Sequence, residues 1–497
     1  MTIFPKAGLA RNFVAGRWVE GDGGAVIAVE DPGTQEHLTN CACAGEASLA
    51  RALEGARTSF ERGFLAEMPP AQRAALMLRI ATEIRAIARD AGELLCRESG
   101  KTLEAAQGEF EEAAQYFKYY GGLADKIEGK SIPLGPDYVD YTVYEPYGVS
   151  AQIVPWNFPV AIAARSMAPA LTAGNSIVVK SPELDPLGLA LLGSALERAG
   201  VPEGAASILC GIGADLGARL VASSEVDQIV FTGSVPTGQS ILRAAAETVT
   251  PSVMELGGKS AAIAFEDADL DGLMASVKTG IYFNAGQVCS AMSRLLVHRA
   301  IYDQVVERAV ALSQGLSVGH GLDNPDLTPL ISGQQLARVE ERVQAAARDG
   351  IRVACGGKRL DGPGYFMAPT VLAEVDPASR IAQEEVFGPV LCIIPFDSEA
   401  EAIALANGTA YGLVAGVFTQ DLSRAHRVAA RLRAGQVFVN EWFAGGIATP
   451  FGGAGRSGYG REKGLEALYN YVRTKNIAIA LNRGNGASLD RAARNGD

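Results

Sequence analysis

From residue 149 onward, short apolar runs alternate with longer helical patterns, and this alternation constrains the fold more than any other feature of the chain. Residues 150–154, 176–179, 206–210 and 228–231 read as buried strands, and 160–172, 187–198 and a stretch after Thr237 as helices. Buried strands separated by helices predict a parallel, doubly wound α/β sheet. Such a sheet binds nucleotides outside the carboxyl ends of its strands. A second alternating region runs over 260–439. Ahead of the first region, 46–125 reads helical, with apolar residues recurring at three and four through Leu76, Met77 and Ile80. Between them, Tyr138, Tyr141, Val143 and Tyr144 predict extended segments over 127–147. A last extended segment, 471–481, precedes a polar tail, 482–497, expected to be mobile.

A chain of 497 residues predicts two or three domains. Its net charge of −12, with no Lys/Arg cluster, argues against nucleic-acid and membrane partners. Seven scattered cysteines do not make a disulfide framework and fit a reducing compartment. The four histidines stand far apart, so no metal site is expected. No window reaches a transmembrane length, and residues 1–14 lack a signal-peptide pattern, so a cytoplasmic location is expected.

Two glycine turns suggest a phosphate site. Gly211-Ile212-Gly213-Ala214-Asp215-Leu216-Gly217 is one residue too long for a dinucleotide fingerprint, and Gly233-Ser234-Val235-Pro236-Thr237-Gly238 has Gln239 where a P-loop has lysine. Either alone is an ordinary strand–helix turn; together they favour a phosphate at a helix N-terminus. Three further residues suggest chemistry. Cys289, in Gly286-Gln287-Val288-Cys289-Ser290, is either an inert buried thiol or a nucleophile in polar surroundings. Glu255, after an apolar strand, is a structural carboxylate or a general base. Asn157, in Pro155-Trp156-Asn157-Phe158-Pro159, caps a helix or donates to an oxyanion.

These segments, with Phe231-Thr232-Gly233-Ser234, Glu255-Leu256-Gly257-Gly258-Lys259, Glu384-Glu385-Val386-Phe387-Gly388-Pro389 and Pro450-Phe451-Gly452-Gly453, resemble the signatures of the aldehyde dehydrogenase superfamily, in order, from residue 12 to about 481. The resemblance implies a Rossmann-type cofactor domain (1–126 and 148–256), an α/β catalytic domain (257–456) and a small β oligomerisation or bridging element (127–147 and 457–482). It implies an NAD(P)-dependent oxidation of an aldehyde to an acid, with NAD favoured over NADP, and a homodimer or homotetramer. By resemblance, Cys289 is the nucleophile, Asn157 the oxyanion donor, Glu255 the base and Glu462 a second, proton-relaying glutamate. Lys180 and Glu183 would meet the adenosine ribose, and Glu385 the nicotinamide ribose. Phe387 would flank the nicotinamide, and Trp156, Gly213, Gly233, Ser234 and Leu256 would line the rest of the cofactor path. Phe158, Phe283, Trp442 and Phe443 fall where the family lines its aldehyde tunnel, and are otherwise core aromatics. Arg165, eight residues after Asn157, matches an arginine of members acting on carboxylate-bearing semialdehydes; it could equally serve a buried ion pair or a hydroxyaldehyde. Neutral aliphatic, hydroxy- and amino-aldehydes are the other substrates considered. Glu255 argues against a CoA-acylating enzyme, and Cys289, Asn157 and Glu255 together argue against a non-catalytic structural protein on the same fold.

Overall fold

The helix that backs the candidate site begins at a proline, which lacks the N–H that a first turn leaves unsatisfied. In a computed structural model, which describes residues 9–481, this helix is Pro159–Ala173, and all fifteen of its residues are buried. Phe158 offers it no side-chain cap. Glu109, from the neighbouring helix Leu103–Gly121, does so instead: its Oε2 accepts from the backbone N–H groups of Val160 (3.2 Å) and Ala161 (3.1 Å). Its other oxygen pairs with Lys101, whose Nζ also donates to the Asn157 carbonyl at 2.9 Å. The helix ends at Gly174, where φ is 101° and a side chain would be strained.

Five parallel strands form the core of an eight-stranded sheet. In space they run Ser252–Leu256, Gln228–Gly233, Val149–Ile153, Ser176–Lys180, Ala206–Leu209. This is the doubly wound arrangement expected from the alternation. Strand order reverses between Val149–Ile153 and Gln228–Gly233, which are neighbours although far apart in sequence. Such a reversal leaves a crevice at the carboxyl ends. Antiparallel strands close both edges: Asn12–Val14 with Arg17–Val19 on one side, Gly458–Tyr459 on the other. Gly458 and Tyr459 thus depart from the expected bridging element. Gly458 has φ of 100°, and backbone contact with Met254 lets this turn add a short strand to the sheet edge.

The second alternating region forms a seven-stranded sheet, parallel except where Arg352–Cys355 joins Thr370–Ala373. It packs the largest apolar core, around Ile263, Leu295, Leu296, Ile393 and Val417. The extended segments at 127–147 and 471–481 pair with each other: Val472–Ala480 runs antiparallel to Tyr138–Pro146 over nine residues, with Ser131–Ile132 on the far side. A further three-stranded sheet, Leu9–Ala10, His37–Ala42 and Val26–Glu30, lies within the span expected for the cofactor domain. The expected mobile tail, 482–497, lies outside the described residues. No helix among the described residues is long and apolar enough to cross a membrane.

Both members of the Lys101–Glu109 pair are buried. Removing one strands the other as an uncompensated charge. Glu109→Ala is expected to lower the unfolding free energy by about 3–5 kcal/mol, measured by urea denaturation followed by far-ultraviolet circular dichroism.

Candidate active site

Three consecutive residues with left-handed backbone, Asn284 (φ 49°), Ala285 (φ 53°) and Gly286 (φ 72°), turn the chain sharply before Cys289. A side chain at Gly286 would press into the Gly388 backbone, its Cβ 2.5 Å from the carbonyl carbon. Gln287 pins the turn: its Oε1 accepts from Ile331 N–H (2.9 Å) and its Nε2 donates to the Asn284 carbonyl (3.1 Å). Non-glycine residues hold such conformations only where surrounding contacts over-determine them, and they gather at functional sites. Phe387, Phe443 and Lys463, which border the same cavities, also have positive φ.

The half-buried Cys289 stands where two cavities meet. The smaller, about 160 Å³, runs past Asn157, Glu255, Leu256, Trp156, Glu385 and Phe387 to Gly233 and Ser234. There the helix Val235–Thr248 begins, with the Ser234 hydroxyl accepting from Thr237 N–H as its cap. The larger, about 440 Å³, carries six aromatic side chains in its wall. Phe158 and Phe283 stack at 5.9 Å in its wall, with Phe443 and Phe451.

Asn157 is buried beside the thiol loop, and its Nδ2 donates to the Gln287 carbonyl at 3.1 Å. Glu255 lies at the end of strand Ser252–Leu256, followed by two glycines that admit close neighbours. A Cβ on Gly257 would collide with the Glu385 carboxylate, and one on Gly258 would lie 2.5 Å from the Cys289 carbonyl oxygen. Gly258 N–H donates to Glu385 Oε1 at 2.9 Å. The Trp156 and Phe387 rings meet edge-on at 5.2 Å.

A buried charge cluster completes the site. Arg165 Nη2 lies 3.2 Å from Glu255 Oε2 and also pairs with Glu462. Burial opposes the Arg165 charge, but Glu462 and Glu255 overcome it and hold the guanidinium above its usual pKa. Burial pushes Glu255 up to about 7; Arg165 works against this rise and Glu462 adds to it. Burial raises Glu462 as well, despite Arg165. Burial and then the Glu255 charge lift the Cys289 thiol well above its ordinary value, with Arg165 opposing. Burial likewise lifts Glu385 to about 7, against the Gly258 N–H.

Lys180, Glu183 and Gly213 form a separate group at the carboxyl ends of Ser176–Lys180 and Ala206–Leu209. Lys180 Nζ pairs with Glu183 Oε1 at 3.0 Å, and Gly213 N–H donates to the same oxygen. Trp442 departs from its expected place. It lines neither cavity: it is buried in the core, donating from Nε1 to the Ser290 carbonyl (3.1 Å) and packing on Phe438. Its indole needs that acceptor, which draws it beneath the thiol loop. Arg165 lines the larger cavity, but its charge is engaged by protein carboxylates.

Lys101, Glu109 and Lys463 were not singled out from the sequence, and Gln287 and Phe451 stood there only as members of motifs, without a role. Glu109 left a trace there, because it interrupts the apolar stripe of Ala106, Phe110, Ala113 and Phe117. A charge on a buried helical face calls for a buried partner. The other four are brought in by contacts distant in sequence.

A family model described as the aldehyde dehydrogenase family matches residues 18–477. Betaine aldehyde dehydrogenase of Bacillus subtilis (strain 168) is 39% identical over 472 residues, covering 94% of this chain and 96% of that protein. A mitochondrial benzaldehyde dehydrogenase of Antirrhinum majus is 38% identical, over 94% of this chain and 88% of that protein. The structure of the NAD+ complex of aldehyde dehydrogenase from Bacillus cereus superposes with a TM-score of 0.93 at 38% identity, covering 95% of this chain and 96% of that one.

The thiol and Glu255 together make a test of the local field. Glu255→Gln removes a negative charge that disfavours the thiolate. Alkylation of Cys289 by iodoacetamide at neutral pH, followed by mass spectrometry, is expected to become faster in this variant. Slower alkylation would mean that Glu255 instead deprotonates the thiol.

Proposed function

The chain belongs to the aldehyde dehydrogenase family and oxidises an aldehyde to a carboxylic acid with NAD, and we propose that Cys289 is its nucleophile, Asn157 its oxyanion donor and Glu255 its water-activating base. The observation that carries this reading is the position of Cys289 at the junction of two cavities, one leading to a helix N-terminus and one walled by aromatics.

The residues present fit NAD. The Val235–Thr248 N-terminus turns the positive end of its helix dipole toward a pyrophosphate, with Gly233 and Ser234 at its mouth. Trp156, Leu256 and Phe387 supply apolar walls, Glu385 suits the ribose hydroxyls nearer Cys289, and Lys180 with Glu183 those of the adenosine. Gly213 approaches Glu183 so closely that a Cβ would lie 3.0 Å from its carboxylate. That carboxylate disfavours a 2′-phosphate, hence NAD over NADP. Bound NAD supplies the hydride acceptor.

The Cys289 thiolate attacks the aldehyde carbon, forming a C–S bond and placing negative charge on the carbonyl oxygen. The second Asn157 amide hydrogen and the Cys289 backbone N–H stabilise that oxyanion. Loss of hydride leaves a thioester on Cys289. Glu255 takes a proton from water, whose oxygen attacks the thioester, releasing acid and thiol. Glu462, paired with Arg165 beside Glu255, is the proposed relay for that proton. A base near pH 7 suits this step, because hydrolysis needs its ionised form.

The aromatic walls favour an aldehyde with an apolar or aromatic body. One observation favours a second reading, a carboxylate-bearing semialdehyde: Lys463 lines the larger cavity and, among the described residues, forms no ion pair there, resting over the Phe451 ring at 5.7 Å. Comparing kcat/KM for benzaldehyde, hexanal, betaine aldehyde, glycolaldehyde and succinic semialdehyde decides between them. We assign the cofactor to the eight-stranded sheet and the thiol to the loop that leads into strand Arg294–His298 of the seven-stranded one. The strands Tyr138–Pro146 and Val472–Ala480 suit pairing in a homodimer or homotetramer, which light scattering tests; the seven unpaired cysteines suit a cytoplasmic location.

Cys289→Ala is expected to abolish turnover while retaining NAD binding by calorimetry; activity within tenfold of the parent, about 1.4 kcal/mol in barrier, would remove the assignment. Glu255→Gln should keep a pre-steady-state burst of NADH and lose steady turnover. In the parent enzyme, thioester hydrolysis should fall as pH drops through about 7, as Glu255 takes up its proton.

A further inference from the structure

Arg165 is held from three directions. Its helix, Pro159–Ala173, is buried along its whole length. Phe451 and Glu462 face each other across an antiparallel bridge, each backbone N–H donating to the other's carbonyl at 2.6 Å. From that bridge the Phe451 ring lies 5.4 Å from the guanidinium carbon, and the Glu462 carboxylate pairs with the guanidinium. The same Nη2 that meets Glu462 also reaches Glu255 Oε2. Glu255 Oε1 is buried and has no hydrogen-bond partner among the described residues.

We propose that Arg165 is a positioning residue for Glu255: it ties Oε2 to the Phe451–Glu462 bridge, leaves Oε1 as the basic oxygen beside Cys289, and does not read the substrate. This rests on Glu255 being the water-activating base. One guanidinium between two buried carboxylates makes proton uptake by Glu255 inexpensive. When Glu255 becomes neutral, Arg165 still has Glu462, so no buried charge is left alone. The groups that set the Glu255 field are Arg165, Glu462 and Cys289, with Tyr116 and Lys463 acting on Arg165 and on its partners.

The test combines Arg165→Lys, Arg165→Met and the double variant Arg165→Met/Glu462→Gln, which removes one buried charge of each sign and guards against misfolding. Rapid-mixing NADH bursts and the pH profile of thioester hydrolysis are recorded with hexanal and succinic semialdehyde. The burst should survive in all three. Hydrolysis in both Met variants should fall at least about tenfold, part of what a general base contributes. Its inflection in Arg165→Met should move to higher pH, because the cation favouring ionised Glu255 is gone. KM should hold on both aldehydes, and Arg165→Lys should recover part of the rate. Hydrolysis at the parent rate with an unmoved inflection overturns the proposal, as does a loss confined to KM for succinic semialdehyde. Glu255→Gln, run in parallel, separates the two levels: if that variant lacks the burst, the base assignment itself has failed.

Discussion

Ionised groups taken out of water must be compensated, and the region around Cys289 is arranged around that requirement. Two buried ion clusters meet there. Lys101 and Glu109 tie the start of helix Pro159–Ala173 to helix Leu103–Gly121 and hold the Asn157 carbonyl. Arg165, between one and two turns further along, ties the same helix to Glu255 and Glu462. One helix therefore registers Asn157 and Glu255, the proposed oxyanion donor and base, against each other. The thiol loop, pinned by Gln287, is joined to both through Asn157.

This arrangement separates two protonation problems. Burial makes the resting thiol reluctant to ionise, and the neighbouring carboxylate increases that reluctance. The same burial gives Glu255 a basicity that suits its proposed role in water activation. A low-dielectric site thus favours one step and opposes the other, and Arg165 tempers both by adding positive charge between them.

Much of the architecture was legible because period and burial travel together in parallel sheets. The runs Ser176–Lys180 and Ala206–Leu209 are apolar enough to be buried on both faces, and a glycine turn follows the second. Cys289, Glu255 and Asn157 stood out as reactive types in unusual local settings, and the family resemblance is what attached roles to them. The partner of Arg165 was not legible, since the helix, strand and bridge that meet there are 90 residues apart or more in places. Trp442 misled for a related reason: an aromatic near the tunnel segment has two directions available, and the Ser290 carbonyl chose the inner one. Gly458 joined the sheet edge through a backbone turn whose pairing no side-chain pattern records.

The aromatic-walled cavity has walls of unequal stiffness. Helix Pro159–Ala173 supplies one side and is packed on every face, whereas Ala444, Gly445 and Gly446 opposite are exposed and carry no core. Substitutions on the helix disturb base, oxyanion donor and fold together, so selection has little freedom there. The exposed loop and the exposed Phe283 can change without that penalty. Divergence toward new aldehydes should therefore accumulate on the loop wall, with the helix wall drifting slowly, and a library built to alter the substrate range belongs at 443–446 and 283.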